Sequence, residues 1–524
     1  MSEQYDVIIS GGGPVGLFVA CELRLAGASV LVLERELKPN TPWKIAPLGR
    51  RGLFTASLEH FYRRGLLARL VEPEVRPAKF QKTDGLQFGG HFAGITFDAN
   101  KLDLESDRFK YVINGPSLMP TASMMEQIER TLADRAESLG VTIRRGIAVT
   151  KIAALDDDGV TVEAGEGHSF SGKWLVGCDG GRSTVRKAAG FDFVGTEPKF
   201  TGYAVKCDFD HPEKLGKGFL PTKNGMYMVM PQSLYLIDFD GGAFSMNHNP
   251  DEDITREHLQ ALFEHISGIT DVNITTVHIA ASFTDRTKQA TTYRRGRVLL
   301  AGDAAHIHPP LGAQGLQIGL ADAMNLGWKL AATIRQEQEY GSLESLADLA
   351  LLDTYENERK LAATSVIDST RAQVVSLQPD PFGAAVHSMV RDVVNTTDGA
   401  NLFIERFWGL SLRYSLGDSG AHSHPVVGRS VPDFELHDGS RLGSKMEGGK
   451  GLLVSFEDDA ALKKLVLGEK YGKRIDFLGA AAKDTRGLRA LLARPDGVVA
   501  WATEDGVEPD MDALKAALER WFRF

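Results

Sequence analysis

Three clusters of residues in this chain have types and spacings that could do chemistry. The first is Gly11, Gly12, Gly13, Pro14, Val15, Gly16, in which Gly11, Gly13 and Gly16 supply a G-x-G-x-x-G pattern. In such a pattern one glycine makes the tight turn, one admits a pyrophosphate to the backbone and one lets helix and strand pack closely. Glu34, followed by Arg35, stands downstream where an acid would accept hydrogen bonds from a ribose. The second cluster is Gly302 and Asp303 with the loop Pro309, Pro310, Gly312, Gly315, Leu316. The third is Asp179, Gly180 and Ser183 in WLVGCDGGRSTVR.

Each cluster needs an element to hold it. Tyr5 to Ser10, Ser29 to Leu33, Trp174 to Val176 and Val298 to Ala301 are short apolar runs ending at a glycine or an acid, as buried parallel strands would. The carboxyl ends of such strands are where open α/β sheets bind ligands. Leu17, Ala20, Cys21 and Leu23 continue the first cluster at helical spacing, and Leu316, Leu320, Ala323, Leu326 and Leu330 continue the second. The second helix would begin just after the loop glycines, so its free N–H groups and dipole would favour negative charge developing near Asp303. The glycines alone could be an ordinary turn; with strand, helix, strand and acid they read as a dinucleotide site. The fingerprint does not separate NAD from FAD. A second binding segment near residue 300 is what an extended cofactor lying across the domain requires, and FAD is therefore expected.

The 524 residues, 43% hydrophobic and 24% charged, describe ordinary globular material with room for roughly two to four domains. A net charge of -10 argues against a nucleic-acid partner. Cys21, Cys178 and Cys207 form no CxxC pair, so neither a disulfide scaffold nor a cysteine zinc site is expected, and a reducing, cytoplasmic setting fits. No signal peptide or membrane span is expected, because the N-terminus lacks a basic segment and no apolar run reaches about 18 residues. His306 and His308 suit a metal only on a strand, and with no carboxylate or cysteine nearby in the sequence no metal site is expected.

GGGPVG with Glu34, CDGGRSTVR and GDAAHIHPPLGAQGLQIGLADAMNLGWKL together resemble the three signature segments of class A flavoprotein monooxygenases, the para-hydroxybenzoate hydroxylase family. The likeness spans about residues 5 to 375. It is nearest to the longer members that hydroxylate phenols and aromatic polyketides, some in antibiotic biosynthesis, since HPVVGRSVPDFEL resembles the segment introducing their C-terminal domain. The resemblance implies that Gly11, Gly13, Pro14, Val15, Gly16, Glu34 and Arg35 hold the ADP half of FAD. It implies that Asp303, with Gly302, holds the ribityl chain. Pro310, Gly312, Gly315 and Leu316 would lie beside the isoalloxazine, Pro310 and Gly312 acting on the reacting ring, and Pro309 would face substrate. Asp179 and Gly180 would serve FAD and the visiting NADPH or NADH. The implied reaction is hydroxylation of a phenolic or polycyclic aromatic through a flavin C4a-hydroperoxide, with O2 and NAD(P)H as co-substrates. Baeyer-Villiger insertion or epoxidation is the alternative, and a flavin protein without turnover the third. Two departures stand out: Ala56 where many relatives have arginine, leaving Lys44, Arg50 and Arg51 as candidates to face the cofactor, and Ala313 where they have a second loop glycine. The alanine costs little unless its position needs a positive φ.

The implied fold is α/β: a Rossmann-like FAD domain (1–185 and 285–375), an antiparallel substrate sheet (186–284, joined by about 76–104), a helical linker (376–420) and a thioredoxin-like domain (421–524). YAVKCDFD, GMYMVMP and LYLIDFD support the sheet directly, being β-branched and aromatic runs cut by Gly, Pro and Asn. Met226, Met228 and Tyr235 are candidates to line a flat apolar substrate pocket, although such residues more often serve as sheet core. In Thr354 to Gln373, Glu356, Glu358, Arg359 and Lys360 read as solvated. Arg371 resembles an active-site arginine of some polyketide hydroxylases; the ordinary alternative is an exposed helix arginine. GLLVSF, ARPDGVVAWAT and MDALKAALERWF read as strand, hairpin and closing helix without redox cysteines, which suits a structural or homodimer-facing role.

Overall fold

Val7 to Ile9, Leu31 to Leu33, Trp174 to Val176 and Val298 to Leu300 are each 2% exposed or less, as strands buried on both faces must be. In the computed structural model, which describes residues 4–71, 79–249, 252–340, 349–417 and 424–523, they form the centre of a parallel sheet. Its order is Val298–Leu300, His168–Gly177, Gln4–Ser10, Val30–Glu34, Thr142–Arg145. Arg294–Arg295 adds an antiparallel edge, and Val149–Leu155 with Val160–Ala164 extends His168–Gly177 as a meander. The helices Pro14–Leu25, Met125–Ser138 and Gly315–Tyr340 bury their apolar stripes against this sheet. The 26-residue Gly315–Tyr340 helix runs about 39 Å. Among the described residues no helix is long and apolar enough to cross a membrane.

A second, five-stranded antiparallel sheet follows the order Gly218–Thr222, Gly225–Met230, Ser233–Asp238, Thr201–Phe209, Ile274–Thr284. One face carries the Arg256–Ser267 helix, with Tyr227 edge-on to Phe263. The other face, set by two-residue alternation, carries Met226, Met228, Tyr235 and Ile237, which pair directly across Gly225–Met230 and Ser233–Asp238. The expected contribution of residues 76–104 to this sheet is not seen. Residues 72–78 lie outside those described, and Phe88–Phe92 with Ile95–Asp98 form their own hairpin, broken by a bulge between Phe88 and His91. That hairpin packs instead with Pro381–Val394 and Thr397–Phe407 in a phenylalanine-rich cluster that also holds Met226, Ile237 and Leu311.

The last sheet orders Ile475–Gly479, Gly451–Ser455, Leu488–Ala493, Val499–Glu504, parallel in its first pair and antiparallel thereafter. With the helices Ala460–Leu467 and Met511–Phe522 this gives a βαβ unit followed by a ββα unit, the thioredoxin-like connectivity. Arg63 and Arg64 reach into it, Arg63 to Ser430 Oγ and the Val431 carbonyl and Arg64 to the Met446 and Pro495 carbonyls.

Candidate active site

Backbone hydrogen bonds continue past the ends of adjacent strands and draw the three clusters together. Gly11 N–H donates to the Leu33 carbonyl at 2.8 Å, Cys178 N–H to Ser10 at 2.8 Å and Ala301 N–H to Gly177 at 3.0 Å. The clusters also touch. A Cβ on Gly11, whose φ is +105, would lie 2.4 Å from the Cys178 carbonyl oxygen, so this turn admits no side chain. Arg186 ties the Asp179 loop to the Asp303 turn, donating to the Gly181 and Ala304 carbonyls.

Along this edge runs a cleft of about 440 Å3. Gly13, Pro14 and Val15 line one part, Cys178 and Gly180 another, and Ala301, Asp303, Pro310, Gly315 and Leu316 the remainder. Arg51, Gly52, Met125, His308 and Ala313 complete it. Gly13 and Gly180 have open space where a Cβ would point, which leaves bare backbone facing the cleft. The Gly315–Tyr340 helix begins at its wall, one residue before the expected Leu316. Gln317 anchors that start, accepting from Phe54 N–H and donating to the Gly52 carbonyl.

Asp303 opens onto the cleft, and the surrounding protein pushes its carboxyl upward by desolvation. Burial also holds His308 down to about 4, so its ring is neutral near pH 7. Its Nδ1 lies 2.9 Å from the Pro309 carbonyl and must carry the proton, while Nε2, an acceptor, is buried without a partner beside Gly315. An unmet acceptor, exposed backbone and a helix start in one elongated cleft fit a dinucleotide bearing phosphates and a ring with N–H donors.

Several expected residues support the cleft from outside it. Gly16 lies under Gly11, and Glu34 accepts from Gly12 N–H at 2.5 Å and from Glu36 N–H at 2.7 Å. Arg35 is 80% exposed and paired with Glu36. Asp179 spends its carboxylate on the start of Thr184–Ala188, accepting from Thr184 N–H at 2.8 Å and from the Ser183 hydroxyl. Gly302 sits behind Asp303 with φ +62, and Gly312 lies against Phe407 and Gln373. Pro309 is buried in the loop.

Two expectations need correction. Arg371 does not line the cleft; its side chain is 41% exposed and bonds Asp368 of its own helix and the buried Thr287 hydroxyl. Glu358 and Arg359, read as solvated, are 5% and 1% exposed, because the C-terminal domain covers that stretch of helix. Of the candidate bases, Lys44 is engaged by Glu129 at 2.7 Å and Arg51 faces the cleft. Sequence reasoning missed Asp322, which is fully buried and accepts from Gly302 N–H at 2.9 Å, His306 Nε2 at 2.7 Å and Arg359 at 2.8 Å. The available signal was Asp322, Asn325 and Lys329 falling on one face of an otherwise apolar helix.

Comparison with known proteins agrees with this geometry. Residues 4–370 match the FAD binding domain family, and residues 424–523 match the C-terminal domain of aromatic-ring hydroxylases. The chain is 47% identical over 517 residues to a protein named as a monooxygenase from Claviceps purpurea (strain 20.1), covering 98% of this chain and 97% of that one. It is 35% identical to rifampicin monooxygenase of Streptomyces venezuelae, covering 99% and 98%. The structure of OxyS anhydrotetracycline hydroxylase from Streptomyces rimosus superposes with a TM-score of 0.81 at 32% identity over the whole of both chains. With its parallel-sheet cleft, its five-stranded antiparallel sheet and its thioredoxin-like end, this chain belongs to the FAD-dependent monooxygenases that carry the aromatic-ring hydroxylase C-terminal domain.

Proposed function

We propose that the protein hydroxylates a phenolic or polycyclic aromatic substrate of the polyketide type, consuming NAD(P)H and O2 in the cytoplasm. The observation that carries this reading is the sheet face holding Met226, Met228, Tyr235 and Ile237. Two of these, Met226 and Ile237, share one apolar cluster with Leu311 of the cleft loop and with the Phe92, Phe97 and Phe407 rings. A flat apolar molecule could shed water there against methionine and aromatic surface while one edge meets the cleft. The names of two relatives, which refer to rifampicin and anhydrotetracycline, favour a large oxygenated ring system over a simple phenol.

Bound in the cleft, FAD would supply the redox chemistry, taking hydride from NAD(P)H and activating O2 for transfer of one oxygen atom. The chain's own part is binding and electrostatics. The helix start at Gly315 and Leu316 would present its N–H groups and the positive end of its dipole to a flavin ring held in the cleft, favouring negative charge there. Among the described residues Arg51 is the cation lining the cleft, and its field reaches Tyr235 on the antiparallel sheet, opposing the upward push that burial gives that phenol. It would favour the phenolate form of a substrate, the form that meets an electrophilic oxygen best. The phenylalanine cluster keeps water from the reacting edge.

The test is NAD(P)H oxidation by the purified yellow protein across a panel of phenols, anthraquinones and naphthacenes. A stimulating compound whose product gains one oxygen as a ring C–OH by NMR supports the reading. An ester, lactone or epoxide product transfers it to oxygen insertion, and no stimulation by any member contradicts it.

A further inference from the structure

The Ala350–Leu377 helix places two oppositely charged neighbours, Glu358 and Arg359, into a buried seam between the cleft and the C-terminal domain. Glu358 receives both terminal nitrogens of Arg494 at 2.8 Å, Lys329 at 3.0 Å and Asn325 at 2.6 Å. Arg494 is fully buried, bonded also to Asp496 and stacked 4.5 Å from the Trp521 ring. On the other side Arg359 donates to the Tyr414 hydroxyl at 2.7 Å, the Ile318 carbonyl at 3.0 Å and Asp322 at 2.8 Å. Asp322 in turn accepts from Gly302 N–H.

We infer that the C-terminal domain holds the flavin-binding turn in place, with Arg494 as a positioning residue that acts through Glu358, Arg359 and Asp322 on the Gly302 peptide. Arg359, Arg494 and Lys329 face Glu358, Asp322 and Asp496, all 5% exposed or less, so each charge in the seam relies on a buried partner. Removing one member strands a charge in low dielectric, and the cheapest response is movement of the neighbours. Asp322 cannot shift without releasing Gly302 N–H, whose peptide leads directly into Asp303 at the cleft. Residues that orient groups touching a ligand change affinity for it without touching it themselves. The inference rests on FAD occupying the cleft and is independent of the aromatic substrate.

The experiment measures FAD binding to the full-length apoprotein by flavin fluorescence quenching, alongside thermal melting of the same apoprotein. The variant is Arg494→Met with Glu358→Gln, which removes one buried charge of each sign and frees Lys329 and Asp496 from these partners. Asp322→Asn tests the far end. Arg441→Met is the control, because Arg441 also joins the C-terminal domain to the rest of the chain, through the Asn114 carbonyl, but has no connection to Gly302. The expected result is FAD binding weakened by about tenfold or more in the first two variants, the usual scale for supporting residues, with control affinity unchanged. Apoprotein melting in the double variant should stay close to that of the control. Unchanged FAD affinity in the double variant or in Asp322→Asn would overturn the inference, as would equal weakening in Arg441→Met.

Discussion

At the scale of single residues, the cleft is held by atoms whose room for change is small. Gly11→Ala would drive a methyl group into the Cys178 carbonyl and force an alanine to φ +105, so it should cost about 2 kcal/mol or more and abolish bound flavin, read as visible absorbance per mole of purified protein. His308→Leu should act with opposite signs on two measurements. It removes a buried acceptor that lacks a protein partner, so apoprotein melting should hold or rise, while FAD binding should weaken by about 1–2 kcal/mol. Histidine also sets the acid limit. Burial holds His91 and His308 down to about 4 from an ordinary 6.5, so between these values the unfolded chain binds more protons than the folded one. Stability is therefore complete above pH 6.5 and falls as pH drops toward 4, by up to about 3 kcal/mol for each histidine. Glu358, held below the ordinary carboxylate range by Arg494 and Lys329, adds loss at lower pH still. Melting temperatures across pH 4 to 8 check this, and a flat profile from 6.5 to 4 would contradict it. These residues differ in how far the sequence reveals them. Gly11 and Gly16 announce themselves by spacing, because a turn with no room for Cβ leaves only glycine, and Asp303 by standing at the end of an apolar strand. Asp322 and Arg359 do not, because a charged residue on a helix reads as solvated until the partner that covers it is known.

At the scale of elements, periodicity carries most of the information and direction carries the rest. The apolar strands and the helix after Gly315 were legible because buried parallel strands and amphipathic helices leave plain patterns. The residue 88–98 hairpin was not, since its strands are too short and too bent by the bulge for alternation to show which sheet they join. Ala313 takes φ +53 in the loop before the long helix, so the departure from glycine does carry strain. Ala313→Gly should relieve about 1 kcal/mol and raise the melting temperature slightly, whereas Ala313→Val should lower it. The five-stranded antiparallel sheet gives a paired test of face and of the proposed substrate role. Tyr227→Ala should destabilise by about 3 kcal/mol through its packing on Phe263 and leave substrate preference unchanged. Met228→Trp, on the opposite face, should alter substrate preference and KM with little effect on melting.

At the scale of the whole molecule, one edge of the parallel sheet gathers segments almost 300 residues apart, and the remaining parts close over it. The order of the three signature segments made this convergence legible, because adjacent parallel strands must bring their carboxyl ends together. The closing parts were less so. Pro381–Val394 and Thr397–Phe407, expected as a linker, pack their buried residues into the cluster beneath the antiparallel sheet, and the C-terminal domain inserts Arg494 between two helices of the FAD-binding part. Such contacts depend on how separate domains dock, which no local pattern encodes. Everything proposed for this chain requires one FAD along the sheet edge, and the most direct measurement is a crystal structure of the reconstituted protein. The expected density places the pyrophosphate at Gly13, the ribityl chain at Asp303 and the isoalloxazine against Pro310 to Leu316. Flavin bound elsewhere, or a protein that stays colourless after reconstitution, would contradict it.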